Sequence, residues 1–151
     1  MSAPPQGFEP MPFNPTDNFV GANGPLYRST TDGELRLGIR VAPRHCNLAG
    51  VCHGGMLATL ADMQLSLGAR HAVGLEVMLP TVSLTMDFIG TAPLGGWVEG
   101  RTQVLRTTRN LVFAQCLLII EPEIVARASA VLKQGPKVDA LFAVSPPVGE
   151  G

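Results

Sequence analysis

The chain is poor in charge, in aromatic rings and in cysteine, and each shortage excludes something. Lys, Arg, Asp and Glu make up 15% of its 151 residues, against about 25% in an ordinary soluble domain. Cations and anions nearly cancel, 11 against 12, so no basic excess exists to displace the counterions of a nucleic acid. Aromatics are 5%, with one Trp and one Tyr, too few for a base-stacking platform. Three cysteines, an odd number, imply no closed disulfide framework and suit a reducing compartment. The longest apolar stretch, Leu111 to Ile120, is broken by Gln115 and is about half of what spans a bilayer. The first residues carry neither the basic start nor the apolar core of a signal peptide. The expectation is a cytoplasmic protein with no membrane and no nucleic-acid partner.

What is present is apolar. Hydrophobic residues are 46% and the mean hydropathy is +0.24, too high for a disordered chain. The length fits a single domain. A small monomer with so little charge has few polar groups to cover its surface, so a subunit interface is expected. Pro4, Pro5, Pro10, Pro12 and Pro15 mark residues 1–18 as a flexible or loosely docked arm, because proline cannot donate to a ladder. Pro136, Pro146, Pro147, Gly149 and Gly151 mark residues 136–151 as a tail, in which Ala140 to Val144 is apolar enough to dock. The folded domain is expected over residues 19–135.

Period-2 alternation fills that domain. Leu35, Leu37, Ile39 and Val41 share one face of a strand; Val82, Leu84, Met86 and Phe88 share another, opposite Thr81, Ser83, Thr85 and Asp87. Ile124, Ala126, Ala128, Ala130 and Leu132 form a third. Further strands are predicted at Gly96 to Arg106 and Leu111 to Ile120, with a hairpin turn at 107–110, and a short one at Pro25 to Thr30. Short turns between successive strands imply an antiparallel sheet. Gly54 to His71 breaks the rhythm: it has no Pro, many helix formers and apolar residues on nearly all sides. A surface helix has a charged face; this one is expected to be wrapped by a sheet or sandwiched between sheets. The class is α+β, about six antiparallel strands around one long buried helix.

Asp62 is the only charged side chain between Gly54 and Ala69. An ionised carboxylate on an apolar helix is costly unless it is paired or used. It caps a loop, pairs with an arginine such as Arg70 or Arg109, or does chemistry. The helix opens on His53-Gly54-Gly55, where free N–H groups and the positive dipole end suit an oxyanion or a thioester carbonyl. Gly54 and Asp62 stand about 12 Å apart at 1.5 Å per residue. One copy of the helix cannot place both beside one reacting atom, so joint use demands a site at a twofold interface.

The run Asn47-Leu48-Ala49-Gly50-Val51-Cys52-His53-Gly54-Gly55, followed by Leu60-Ala61-Asp62, resembles the signature of hotdog-fold acyl-CoA thioesterases. It is most similar to the PaaI-like, phenylacetic-acid-degradation branch of the 4-hydroxybenzoyl-CoA thioesterase superfamily. The resemblance covers about residues 20–133. It implies Asp62 as nucleophile or general base, the Gly54 N–H polarising the thioester oxygen, Asn47 holding the water or carboxylate, and His53 supporting the carbonyl site. It further implies Ser83 as an assisting hydroxyl, and a homotetramer built as a dimer of dimers. Gly55, Arg106 and Arg109 are the candidates for holding substrate and the CoA phosphates. The resemblance implies an aryl or medium-chain acyl-CoA as substrate; CoA belongs to the substrate and no separate cofactor is implied.

Three other readings compete. His45, Cys46, Cys52 and His53 could ligate zinc, but directly adjacent ligands fit the spacing of structural zinc sites poorly. A non-catalytic acyl-CoA sensor on the same fold would need the pocket but not the carboxylate, so Asp62 counts against it. A hotdog dehydratase shares the architecture, and the stretch around His53 does not match its pattern.

Overall fold

The computed structural model describes residues 2–12 and 17–137. Seven antiparallel strands form one sheet: β1 (Glu9–Pro10), β2 (Tyr27–Ser29), β3 (Arg36–Arg40), β4 (Thr81–Phe88), β5 (Trp97–Thr107), β6 (Leu111–Ile120) and β7 (Glu123–Lys133). Their order across the sheet is β1-β2-β3-β5-β6-β7-β4. The long helix α2 (Gly54–Val73) packs on one face, and a short helix α1 (Phe19–Asn23) precedes β2. This is a hotdog fold of the mixed α+β class. The alternation of small and large apolar residues explains the packing. Ala114, Cys116 and Leu118 of β6 and Ala126, Ala128 and Ala130 of β7 are buried together with Leu57, Leu60, Ala61 and Leu65 of α2. Alanines in the middle strands let a helix of full diameter lie close to the sheet.

Three departures from the sequence reading have physical causes. The N-terminal segment, expected as a flexible or loosely docked arm, docks through an edge strand that the alternation did not mark. Glu9 and Pro10 pair with Arg28 and Tyr27, Met11 N–H donates to Leu26 O at 2.8 Å, and the Phe8 ring meets Trp97 edge-on at 4.9 Å. Pro10 is compatible with this because β1 is an edge strand. Second, Ile124 is exposed and Val125 buried, because an irregularity between Leu118 and Ile119 pairs Ile119 with Ile124 and leaves Val125 over. The third is at the start of β4, where Thr81 pairs with Leu132 and Ser83 with Val131, so Val82 is bulged out. One extra residue reverses the faces before and after it. The expected tail lies mostly outside the described residues, including the apolar segment from Ala140 to Val144.

A helix apolar on all sides has no charged face to fix its rotation in the sheet. Gln64 supplies that constraint. It is fully buried; its Oε1 accepts from Leu37 N–H at 2.8 Å, and its Nε2 donates to Leu35 O at 2.9 Å and Thr102 Oγ1 at 2.7 Å. β3 and β5 pair only from Gly38 onward, so the amide of Gln64 stands in for missing rungs between them. Gly100 makes room, since a Cβ there would lie 2.5 Å from Gln64 Cγ. Replacing Gln64 by Leu strands the Leu37 N–H and the Leu35 carbonyl, while Thr102 Oγ1 keeps its bond to the backbone oxygen of residue 64, and is expected to cost about 3 kcal/mol. A lower urea midpoint at unchanged m-value checks it.

Candidate active site

The site is built from the N-terminal end and the middle of α2 and the elements that hold them. At the N-terminal end, the loop of residues 47–51 is closed by Asn47 N–H donating to Val51 O at 2.8 Å and Gly50 N–H donating to Asn47 O at 3.0 Å. The Asn47 Oδ1 accepts from Ala49 N–H at 2.9 Å and from Val51 N–H at 3.4 Å. The loop thus uses the oxygen of Asn47 for its own geometry and leaves the Nδ2 hydrogens as donors for something else.

His53 caps the helix. Its Nδ1 accepts from Gly55 N–H at 2.8 Å, which fixes the proton of a neutral ring on Nε2. Gly55 was expected to offer its amide to substrate; that amide is taken by the cap. Gly54 N–H, the first of the helix, donates to no group among the described residues. One N–H of the pair is therefore tied and the other is free at the positive end of the dipole. Met56 and Leu57 N–H close back onto His53 O at 2.9 and 3.1 Å, so the free donor is held on a rigid turn.

At mid-helix, Asp62 is half-buried and its Oδ1 accepts from Thr81 Oγ1 at 2.5 Å. Ser66, one turn on, donates to Leu79 O at 3.0 Å, pinning the chain that leads into β4. The hydroxyl expected near the carboxylate was Ser83. The bulge at Val82 turns Ser83 to the outer face with Thr85 and Asp87, and brings Thr81 inward. The sequence signal for Thr81 was present, as the first hydroxyl of the strand, but plain alternation put it on the same face as Ser83.

Arg106 and Arg109 are exposed around the tip of the β5–β6 hairpin. Gln134 N–H donates to Asn110 O at 2.8 Å and Lys133 N–H to Pro80 O at 2.9 Å. The tip therefore stands at the end of the sheet where β4 begins and Asp62 is held. Gly54 lies at the other end of β4: a Cβ on it would sit 3.3 Å from Phe88 Cε1. The structure thus groups Asn47, His53 and Gly54 at one end, Asp62 and Thr81 at the other, and does not join the two groups within one chain.

The zinc alternative loses His45 as a ligand. His45 is buried with Nδ1 accepting from Ala42 N–H at 3.0 Å and Nε2 against Asn23 O at 2.6 Å, so neither nitrogen is free. Among the described residues no group of three or more His, Cys, Asp and Glu side chains is arranged to hold a metal.

His45 gives the site scaffold a pH dependence. Burial pushes its imidazole below the usual range near 6.5, Arg44 adds to this, and the Asn23 carbonyl opposes it. The ring is needed neutral, since Nδ1 must accept. The unfolded chain then takes the proton first, so stability is full above pH about 6.5 and falls as the pH drops below it. Thermal midpoints from pH about 7.5 to about 5 should decline, and less steeply in His45→Gln.

The comparisons with known proteins agree with this architecture. Residues 49–127 match the family model described as Thioesterase superfamily. A Pseudomonas aeruginosa protein named "Putative esterase" is 36% identical over 130 residues, covering 84% of this chain and 94% of that protein. A variant of the phenylacetic acid degradation protein PaaI from Thermus thermophilus is 26% identical, with a TM-score of 0.67 over 78% of this chain and 99% of that one. A Streptococcus mutans protein solved bound to acetyl-CoA shares the fold at 17% identity, with a TM-score of 0.61 over 70% of this chain and 83% of that one. No helix among the described residues is long and apolar enough to cross a membrane. The family match over residues 49–127 and the relative at 36% identity place this chain in the thioesterase superfamily, as a thioester hydrolase of the hotdog fold.

Proposed function

We propose that the protein hydrolyses acyl-CoA thioesters, of the aryl or medium-chain kind, at sites shared between two copies of the chain. The observation that carries this is the division of labour on α2. The free donor is at Gly54, the oriented carboxylate is at Asp62, and about 12 Å of helix lies between them. β4 supplies the means of joining them. It is an edge strand of eight residues, about 23 Å from first Cα to last, and its second long edge carries no partner among the described residues. Val82 and Phe88 are exposed there, 62% and 56%. An open edge of this length invites another strand. Antiparallel pairing of two β4 strands about a twofold axis sets Thr81 of one copy beside Phe88 of the other. Asp62 of one helix then meets Gly54 of the second.

The chemistry follows from these groups. The thioester oxygen accepts from Gly54 N–H, with the neutral His53 Nε2–H and the Asn47 amide as further donors nearby. Asp62, held by Thr81, attacks the carbonyl carbon or takes a proton from the attacking water. The C–S bond breaks and the CoA sulfur leaves with a proton that originates from water; where Asp62 itself attacks, water then hydrolyses the acyl-Asp62 anhydride to free acid and restores the carboxylate. Arg106 and Arg109 stand at the Asp62 end of the sheet as cations for the phosphates. CoA arrives with the substrate, and no separate cofactor has a step. Two such dimers would form the homotetramer, and the three unpaired thiols favour a cytoplasmic setting.

The test is release of free thiol from a panel of phenylacetyl, benzoyl, medium-chain and long-chain CoA thioesters. Turnover with at least one is expected. Tight CoA binding without release from any of them would overturn the reading in favour of a sensor.

A further inference from the structure

Two cysteines flank the loop that carries Asn47, and the hydrolysis has no use for either. Cys46 and Cys52 face each other as an antiparallel bridge. The hydrogen bonds around them define which kind. Asn47 N–H donates to Val51 O at 2.8 Å and His53 N–H donates to His45 O at 2.7 Å, so the bonds lie on the neighbours and Cys46 and Cys52 form a non-hydrogen-bonded pair. In such a pair the Cα atoms are about 4.5 Å apart and both side chains project to the same face. That spacing lies inside the range that a disulfide spans. The second strand is fixed in turn, by Cys52 N–H donating to Ala92 O at 2.8 Å. The thiols have only long contacts of their own, Cys46 Sγ to Ala42 O at 3.5 Å and Cys52 Sγ to His53 O at 3.8 Å.

We propose that Cys46 and Cys52 are a reversible dithiol–disulfide site, whose oxidation ties the neck of the 47–51 loop and slows the enzyme. The oxidant is a low-molecular-weight disulfide. Cys46 is partly exposed and Cys52 buried, so Cys46 is the entry point. Its thiolate attacks one sulfur of the disulfide, forms a mixed disulfide and expels one small thiol. Cys52 then gives up its proton, attacks the Cys46 sulfur and expels the second. Two S–H bonds become one S–S bond, and the oxidant leaves as two thiols carrying the two protons. Burial, and then the neighbouring Cys46, push the Cys52 thiol up to about 11, so it stays protonated and the pair stays reduced until a mixed disulfide is presented to it. The link joins the residue before Asn47 to the residue before His53. Its effect on turnover rests on the site proposed above; its formation does not.

Glutathione disulfide is the probe, on the full chain. The expected product has lost two of its three titratable thiols, is lighter by two hydrogens, and gives a cross-linked peptide holding Cys46 and Cys52. Cys116→Ser should behave the same way, and Cys52→Ser should stop at a glutathione adduct on Cys46. The linked protein should turn over about tenfold more slowly, given the sensitivity of bound geometry to small displacements, and recover with dithiothreitol. Three titratable thiols after treatment, a stable glutathione adduct on the wild-type chain, a link through Cys116, or linked protein with unchanged turnover would each overturn the proposal. Thiol counts and masses need no substrate, so a chain that links but hydrolyses no acyl-CoA indicts the functional reading and not the dithiol pair.

Discussion

Asp62→Asn should lower kcat about 1,000-fold, in the range that a positioned carboxylate contributes, and should leave the fold intact. The substitution is nearly isosteric, and the Oδ1 of an asparagine can still accept from Thr81 Oγ1, which now binds the carboxylate at 2.5 Å. What is lost is the negative oxygen that attacks or draws the proton from water. KM should change little, because the pocket and the Gly54 donor remain. Thiol release from the best substrate of the panel, with a thermal midpoint alongside, decides it; near-full turnover in a folded Asp62→Asn protein would sink the assignment.

Gly54→Pro should lower kcat by about 100-fold or more, the cost of removing one donor aimed at a developing oxyanion. The position permits an unusually clean experiment. Gly54 is the first residue of α2, where proline is favoured and its missing N–H breaks no helical bond. The preceding His53 has φ -62 and ψ 139, the extended conformation that a residue before proline requires. The ring must coexist with Phe88, whose Cε1 would lie 3.3 Å from the new Cβ, a contact relieved by a shift of a few tenths of an ångström. Because Gly54 and Asp62 are assigned to different copies, the two variants should rescue each other. Co-assembled in equal amounts, half of the dimers are mixed and each holds one intact site of two, so about a quarter of wild-type activity should return. Activity no higher than that of the separate variants would mean that each chain works alone.

The helix and the middle strands were legible because their signals are local. A run of helix formers without proline, and strict alternation over Leu35 to Val41, name the element and its buried face. The carboxylate on the apolar helix was legible for the same reason. Non-local effects hid the rest. A single bulge at Val82 exchanged the roles of Ser83 and Thr81, and nothing in the alternation marks it. The capture of Gly55 N–H by His53 depends on a side-chain rotamer. Gln64 reads as a polar residue in an apolar stretch, and its purpose is visible only once β3 and β5 are seen to part beside it. Pro10 looked like a ladder breaker and sits where a ladder has nothing left to donate to.

The docking of the N-terminal segment on Trp97 has an optical consequence. Trp97 is the single tryptophan of the chain; Phe8 meets its ring at 4.9 Å, Tyr27 lies 5.6 Å away, and the Arg40 guanidinium stands 5.2 Å from the ring centroid. Its emission therefore comes from one spot on β5, separated from β4 in the sheet by β6 and β7. The colour of that emission reports whether residues 8–11 are seated, and the chain carries its own fluorescent gauge of an element remote from the thioester.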